Sequence, residues 1–289
     1  MQYLSQLLGG PDKTREFLGR NFTRLPFSVA GGASQLKHYL DWSVVERSFK
    51  EKKSTIRIVK DGRMTEFNLD QDYAKAKYYY NQGHSIWVKN AERSIDILND
   101  LAKDFSSSFY TAVDVQLYCT PEGHNAFGWH YDVEEVFILQ TEGSKEYTIR
   151  QNTVHPYPLV KSIPINLGFE QESSDLALKV TLMPGDCLYI PSGWWHIART
   201  KRESKHISIG LMPSSAMDIV EFLQLHLPQH SMWRKRMPIH TSFETSDEEI
   251  EFYQEAMAKL GEEIVSKISS KDFIRQFLSH KKSPLSEIK

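Results

Sequence analysis

The stretch Gly123–Ile149, GHNAFGWHYDVEEVFILQTEGSKEYTI, decides the reading of this chain. A histidine and an aspartate, His130 and Asp132, stand two residues apart just before an apolar run, Val136 to Leu139. In extended backbone, residues i and i+2 project from the same face. His130 and Asp132 can therefore aim at one point while Tyr131 turns away; a helix would splay them. The apolar run behind them, closed by the turn at Gly143, reads as a buried strand.

A second segment, LMPGDCLYIPSGWWHIA (182–198), supplies what the first lacks. Pro184-Gly185-Asp186 makes a tight turn, Cys187 to Pro191 a strand, and Ser192-Gly193 another turn, placing His196 just past a strand end. In an antiparallel barrel such ends can meet. Two imidazoles and one carboxylate on one face of a metal leave its other positions open, the facial set of non-haem Fe(II) oxygenases. Taken singly each piece is weak. H-x-D occurs by chance, and a histidine behind Trp194 and Trp195 also reads as a core residue. Together, with P-G-D-x-L-Y-I-P before the second histidine, they predict a metal site.

Six short strand-like runs lie between Tyr110 and Met212: TAVDVQLYCT, EEVFILQTEG, SKEYTIRQ, ALKVTLMPGD, CLYIPSGWWHIA and HISIGLM. Gly, Pro and Asn at the breaks predict a sandwich or barrel. Asn152–Ser174 is a long polar excursion whose length points to function or partner contact. Upstream, PDKTREFLGRNF opens a helix at Pro11, SQLKHYLDW a second with Ser34 as its cap, STIRIVKDG a hairpin at Asp61-Gly62, HSIWVKNA a strand and AERSIDILNDLAKDF a helix. After Pro213 the chain turns helical, with Ser215 as a cap and Ser246 with Glu249 as a capping box. The domain expectation is 1–213, split into an elaboration 1–109 and a β core 110–213, followed by a helical region 214–289.

Composition narrows the class. The 289 residues are 40% hydrophobic and 25% charged, with a net charge of −2, which suits a globular domain and gives no whole-chain attraction to nucleic acid. Two cysteines, Cys119 and Cys187, read as small buried hydrophobes. No basic, apolar leader opens the sequence and no run nears the ~20 apolar residues of a membrane span, so the expectation is a cytoplasmic protein.

These residues resemble the JmjC branch of the cupin superfamily, and YCTPEGHNAFGWHYDVEEVFILQTEGSKEYTI is similar to the ribosomal oxygenases. The likeness extends to LPFSVAGGASQLKHYLDW, RIVKDG and NQGHSIWVKNAER upstream, and to the helices around WRKRMP downstream. It implies a mainly β protein with flanking helices, a double-stranded β-helix with a C-terminal helical dimerisation region. It also implies Fe(II), O2 and 2-oxoglutarate as co-substrate, and hydroxylation of a protein or peptide side chain, for instance in a ribosomal protein. Carried over by position, His130, Asp132 and His196 are the metal ligands and Lys145 holds the distal carboxylate of 2-oxoglutarate. Tyr118 and Gln116 are polar groups near it, and Ser208 is a small polar neighbour. A fourth protein ligand would block a position the co-substrate needs, so His124 and His206 are not read as ligands. Trp129, Trp194 and Trp195 either shape the metal surroundings or pack the barrel. The family commonly carries a further winged-helix domain, for which this sequence leaves no room.

Other readings stay open on the residues alone. A cupin could bind metal without oxidation, or serve as a protein or RNA interaction platform. The same chemistry could act on a peptide natural product or small metabolite, or demethylate. For the C-terminal helices the expectation is a homodimer, because they are too few to make a core of their own and the apolar faces with Phe222, Leu223, Phe252, Ile264, Phe273 and Phe277 need a partner surface.

Overall fold

The run after Asp132 forms a strand, β6 (Glu135–Glu142), buried at every position but the last. Burial on both faces follows from two layers meeting it, since successive side chains alternate sides. Phe137 and Leu139 enter one apolar cluster and Val136 and Ile138 another. The computed structural model describes residues 2–64, 72–159, 175–237 and 246–282, and the chain divides into two units, Met1–Pro213 and Ser214–Lys289.

The first unit begins with α1 (Gln2–Leu8), α2 (Pro11–Arg20), β1 (Phe27–Val29), α3 (Trp42–Glu51), β2 (Thr55–Lys60), β3 (Arg63–Met64), α4 (Tyr73–Asn81), β4 (Ser85–Lys89) and α5 (Asp96–Phe109). The remaining strands are β5 (Ala112–Thr120), β7 (Lys145–Arg150), β8 (Leu176–Leu182), β9 (Cys187–Ile190), β10 (Trp195–Thr200) and β11 (Ser204–Met212). An eight-stranded sheet runs β1-β9-β6-β11-β5-β4-β2-β3, and a three-stranded sheet runs β10-β7-β8. Every pairing among them is antiparallel. The fold is mainly β with flanking helices, as the runs predict.

Alternation sorts the large sheet. Val115, Leu117 and Cys119 of β5 and Ile207, Ile209 and Leu211 of β11 turn outward beneath the helices. Leu98, Leu101, Ala102 and Phe105 of α5 meet them at helical spacing. The opposite face, with Tyr118 and with His206 and Ser208, looks inward. Between β6 and β9 on one side and β7, β8 and β10 on the other lies the second cluster, including Val136, Ile138, Tyr147, Ile149, Leu182, Leu188 and Ile190. Both cysteines are free and buried.

Two expectations are corrected. Ser34 caps no helix: its hydroxyl donates to the Gly31 carbonyl, and the helix starts at Trp42, where Asp41 accepts from the Val44 amide. His196 is the second residue of β10, inside the strand rather than past the end of one. Most of the Asn152–Ser174 excursion lies outside the described residues; in its described part the Asn152 side chain accepts from the amides of Val154 and His155.

The second unit contains α6 (Ala216–His226), α7 (Ser231–Arg234), α8 (Asp247–Ile268) and α9 (Lys271–Lys282). Ser215 and Asp218 form a capping box on α6, as Ser246 and Glu249 do on α8. Here too a correction is needed. Phe222, Leu223, Phe273 and Phe277 are buried together with Ile264 packed against them, so these helices close a small core of their own. Phe252 stays 47% exposed.

The β6–β7 turn depends on Gly143. Its φ is +68°, and a Cβ there would stand 1.6 Å from the Glu203 carbonyl oxygen. Gly143→Ala should cost more than ~1–2 kcal/mol from the left-handed backbone alone, with the clash added. Denaturant unfolding of the two proteins checks this; equal midpoints would contradict it.

Candidate active site

Tyr131 is buried edge-on against Trp195, with centroids 4.7 Å apart at 90°. That anchor turns its neighbours the other way, as extended spacing requires. His130 then pairs with His196 in an antiparallel bridge, each backbone amide donating to the other's carbonyl at 3.1 and 2.8 Å. The backbone carbonyl of Asp132 accepts from the amide of Gly193, 2.8 Å away, which ties the two segments together. The rings of His130 and His196 lie 4.2 Å apart, and one donor atom from each of His130, Asp132 and His196 falls within 4.8 Å of the others.

Hydrogen bonds set the tautomers. Nδ1 of His130 lies 2.8 Å from the Gly128 carbonyl and Nδ1 of His196 3.0 Å from that of Trp194. A carbonyl only accepts, so both Nδ1 atoms carry the proton and both Nε2 lone pairs are free, the usual arrangement of metal-bound histidine. Nε2 of His196 lies 3.5 Å from Asp132 Oδ2. Burial, with His130 beside it, pushes the His196 imidazole down to about 4, which keeps it a neutral donor. The donor set fits Fe(II), and its three members leave room for exogenous ligands.

These three residues open on a cavity also lined by Tyr118, Phe127, Ile138, Lys145, Tyr147 and Ser208, among others. Lys145 is 3% exposed and donates to the Thr120 hydroxyl at 3.2 Å. Among the described residues it has no carboxylate partner, and burial pushes its ammonium down to about 7. A lone buried cation is costly unless something anionic joins it.

Tyr118 is sandwiched between Trp87 and His206, at 5.7 Å and 4.8 Å with planes tilted by 13° and 7°. Gln116 does not line the cavity. It stands one step behind, its carbonyl accepting from Trp87 Nε1 and the Tyr118 hydroxyl and its amide donating to Asp114. His124 packs its ring against Gly83 and joins no ligand set. Trp194 packs on the inner apolar cluster, and Trp129 takes the Arg150 guanidinium over its ring at 5.2 Å.

Three features escape the sequence reading. His206 lines the cavity; its spacing two before Ser208 was a usable signal. Thr120 partners Lys145 from β5. Glu134 lies over Gly210, where a Cβ would come within 2.7 Å of its carboxylate. Burial, then Asp132 and Asp114, push the Glu134 carboxyl up to about 8. Nothing in the sequence announces that placement.

A two-sheet β fold that brings two imidazoles and a carboxylate together at an open cavity has the donor arrangement of a mononuclear metal site. Residues 91–219 match the JmjC domain family, and the chain is similar to proteins named as ribosomal oxygenases. It is 28% identical over 238 residues to the bifunctional lysine-specific demethylase and histidyl-hydroxylase NO66 of Drosophila pseudoobscura pseudoobscura, covering 78% of this chain and 24% of that one. To ribosomal oxygenase 2 of Bos taurus it is 31% identical over 193 residues, 63% of this chain and 39% of the relative. The chain thus spans well under half the length of these relatives. Among solved structures, YcfD, a ribosomal oxygenase from Escherichia coli in complex with cobalt and 2-oxoglutarate, superposes with a TM-score of 0.65 at 16% identity, over 93% of this chain and 70% of that one. At that identity the likeness establishes the fold.

Proposed function

We propose that this protein is an Fe(II)- and 2-oxoglutarate-dependent oxygenase that hydroxylates a side chain of a protein or peptide, with a ribosomal protein as the first candidate. The observation that carries the reading is a pair of tautomer-fixed imidazoles and a carboxylate sharing one cavity with a buried lysine that has no counter-ion among the described residues. Bound iron, with O2 and 2-oxoglutarate, would supply the oxidising chemistry and release succinate and CO2.

The chain's own residues do the rest. His130, Asp132 and His196 would hold the metal through Nε2, a carboxylate oxygen and Nε2. Lys145, steadied by Thr120, would receive the distal carboxylate, orienting the 2-oxo acid group toward the metal. Ser208 and Tyr118 border that path, and Gln116 fixes the Tyr118 hydroxyl. Val136, Ile138, Tyr147 and Ala198 give apolar walls that limit water.

The test is intact mass of ribosomal proteins from cells with and without the gene. One extra oxygen on one protein in the presence of the gene supports the reading; loss of a methyl group instead would make the protein a demethylase. No mass difference, together with no succinate formed from 2-oxoglutarate by the iron-loaded protein, would remove it.

A cytoplasmic homodimer belongs to the same proposal. Among the described residues no helix is long and apolar enough to cross a membrane. In the second unit Leu225, Phe252, Met257, Val265 and Leu278 remain between 47% and 64% exposed, a density of apolar surface that favours a two-fold partner. Light scattering at micromolar concentration should give twice the mass of one chain. A single-chain mass that persists as concentration rises would rule the dimer out.

A further inference from the structure

Tyr157 is the most exposed large apolar side chain among the described residues, at 90%. Its backbone is nonetheless held. Pro156 and Pro158 flank it. Proline fixes its own φ, and the residue before a proline is kept extended, so 155–158 is a stiff rod. One end is tied where the buried Asn152 side chain accepts from the amides of Val154 and His155. The middle is seated on Gly193: a Cβ there would stand 2.8 Å from the Pro156 carbonyl oxygen and 2.9 Å from Pro158 Cδ. With both neighbours pressed on that glycine, the Tyr157 ring is turned away from it into water.

The rod is continuous with the metal site. Gly193 donates its amide to the Asp132 carbonyl at 2.8 Å. The His155 ring lies 6.4 Å from that of Tyr131, the residue between His130 and Asp132. Asp132 lines the cavity and its side chain is 40% exposed, so the cavity reaches solvent beside it.

What the rod recognises follows from its composition. A quarter of the chain is charged, yet residues 152–159, NTVHPYPL, contain no Asp, Glu, Lys or Arg. Val154 and Leu159 are 46% and 41% exposed on either side of Tyr157. Such a surface has no charge with which to hold a phosphate backbone or an acidic tail; it gains by covering apolar area. Tyrosine offers a large contact for the loss of two side-chain torsions, and a backbone already fixed lowers the ordering cost of binding.

Resting on the function proposed above, we infer that residues 154–159, with Tyr157 at their centre, dock the protein substrate by taking one of its apolar side chains close to the target residue. The contact sets affinity for the substrate and takes no part in the chemistry at the metal.

The experiment uses the iron-loaded protein and total protein extracted from cells lacking the gene, a mixture that holds the unmodified candidates. Succinate formation is followed against extract concentration for the parent, Tyr157→Ala and Tyr157→Phe. Tyr157→Ala should raise the half-saturating extract roughly tenfold. It should leave the maximal rate, and the succinate formed without extract, within about twofold of the parent. Tyr157→Phe keeps the ring and should match the parent within about twofold. Because the contact carries no charge, the ratio of alanine variant to parent should hold within about twofold between about 50 and 300 mM salt. A half-saturation moved less than twofold by alanine, a loss confined to the maximal or extract-free rate, or a ratio that collapses with salt would overturn the inference while leaving the function standing. If extract stimulates no succinate from a parent that is active without it, the protein substrate falls and this inference with it. A parent that forms no succinate under any of these conditions removes the function itself.

Discussion

Asp132→Ala should abolish 2-oxoglutarate turnover, by more than about a hundredfold, and leave the protein folded. Loss of even an outer hydrogen-bond partner of a metal ligand costs some ten- to a hundredfold in metal affinity, and Asp132 is the only carboxylate in the proposed set. Without it two neutral imidazoles remain, and nothing balances the charge of a divalent ion. The fold has little reason to respond. Its backbone carbonyl, which accepts from Gly193, ties this residue to the barrel, and alanine keeps that bond. The Asp132 side chain is 40% exposed, and its charge adds to the burial that already disfavours the Glu134 carboxylate. Removing it relieves that repulsion, so the melting temperature of the metal-free variant should equal or exceed the parent's. Metal titration, succinate formation and thermal melting are the three measurements. Parent-like turnover in the variant would end the assignment of this residue as a ligand.

How much of this was readable beforehand depends on which kind of information each residue needs. Period-two alternation is local, so the strands from Ala112 to Met212 and the shared aim of His130 and Asp132 follow from the sequence directly. Caps are local too, and Ser246 with Glu249 opens α8 as its spacing says. Depth along a strand is another matter. Gln116 and Tyr118 share a face, yet only Tyr118 reaches the cavity, because Trp87 of β4 and Asp114, two residues back on β5, claim the glutamine amide. The same limit hides His206: its face is legible, but whether its ring meets metal, water or a co-substrate turns on partners tens of residues away. Ser34 shows that a cap residue next to Gly-Gly competes with turn chemistry, its hydroxyl finding the Gly31 carbonyl first. The helical core was misjudged for a related reason, since Phe222 on α6 and Phe273 on α9 meet across about fifty residues of sequence, with ring centroids 5.3 Å apart.

The second large effect concerns Lys145, and it runs in opposite directions for binding and for stability. A charge-assisted contact with a carboxylate is worth roughly 1.5–3 kcal/mol, so Lys145→Ala should weaken 2-oxoglutarate binding between about ten- and a hundredfold. Stability should not fall in parallel. In the free protein this ammonium is buried, and among the described residues a hydroxyl is its one hydrogen-bond acceptor, a cost the variant escapes. The pH dependence carries the sign. Burial lowers Lys145 from 10.5 to about 7, so the unfolded chain holds a proton there that the folded, empty protein gives up between those values. The cost of burying the charge is thus fully present below about pH 7 and is relieved as pH rises toward 10.5. Binding shows the reverse. Below about pH 7 the cation is already formed and affinity is flat with respect to this group. Above it, the dicarboxylate must draw a proton onto Lys145, and affinity should fall by up to about tenfold per pH unit. The alanine variant has no such proton to take up, and its affinity should be weak at every pH and lack that slope. Calorimetry from pH 6 to 9 on both proteins decides the matter. A change under twofold on substitution, or an equal slope in parent and variant, would move the carboxylate clamp to another residue of the cavity.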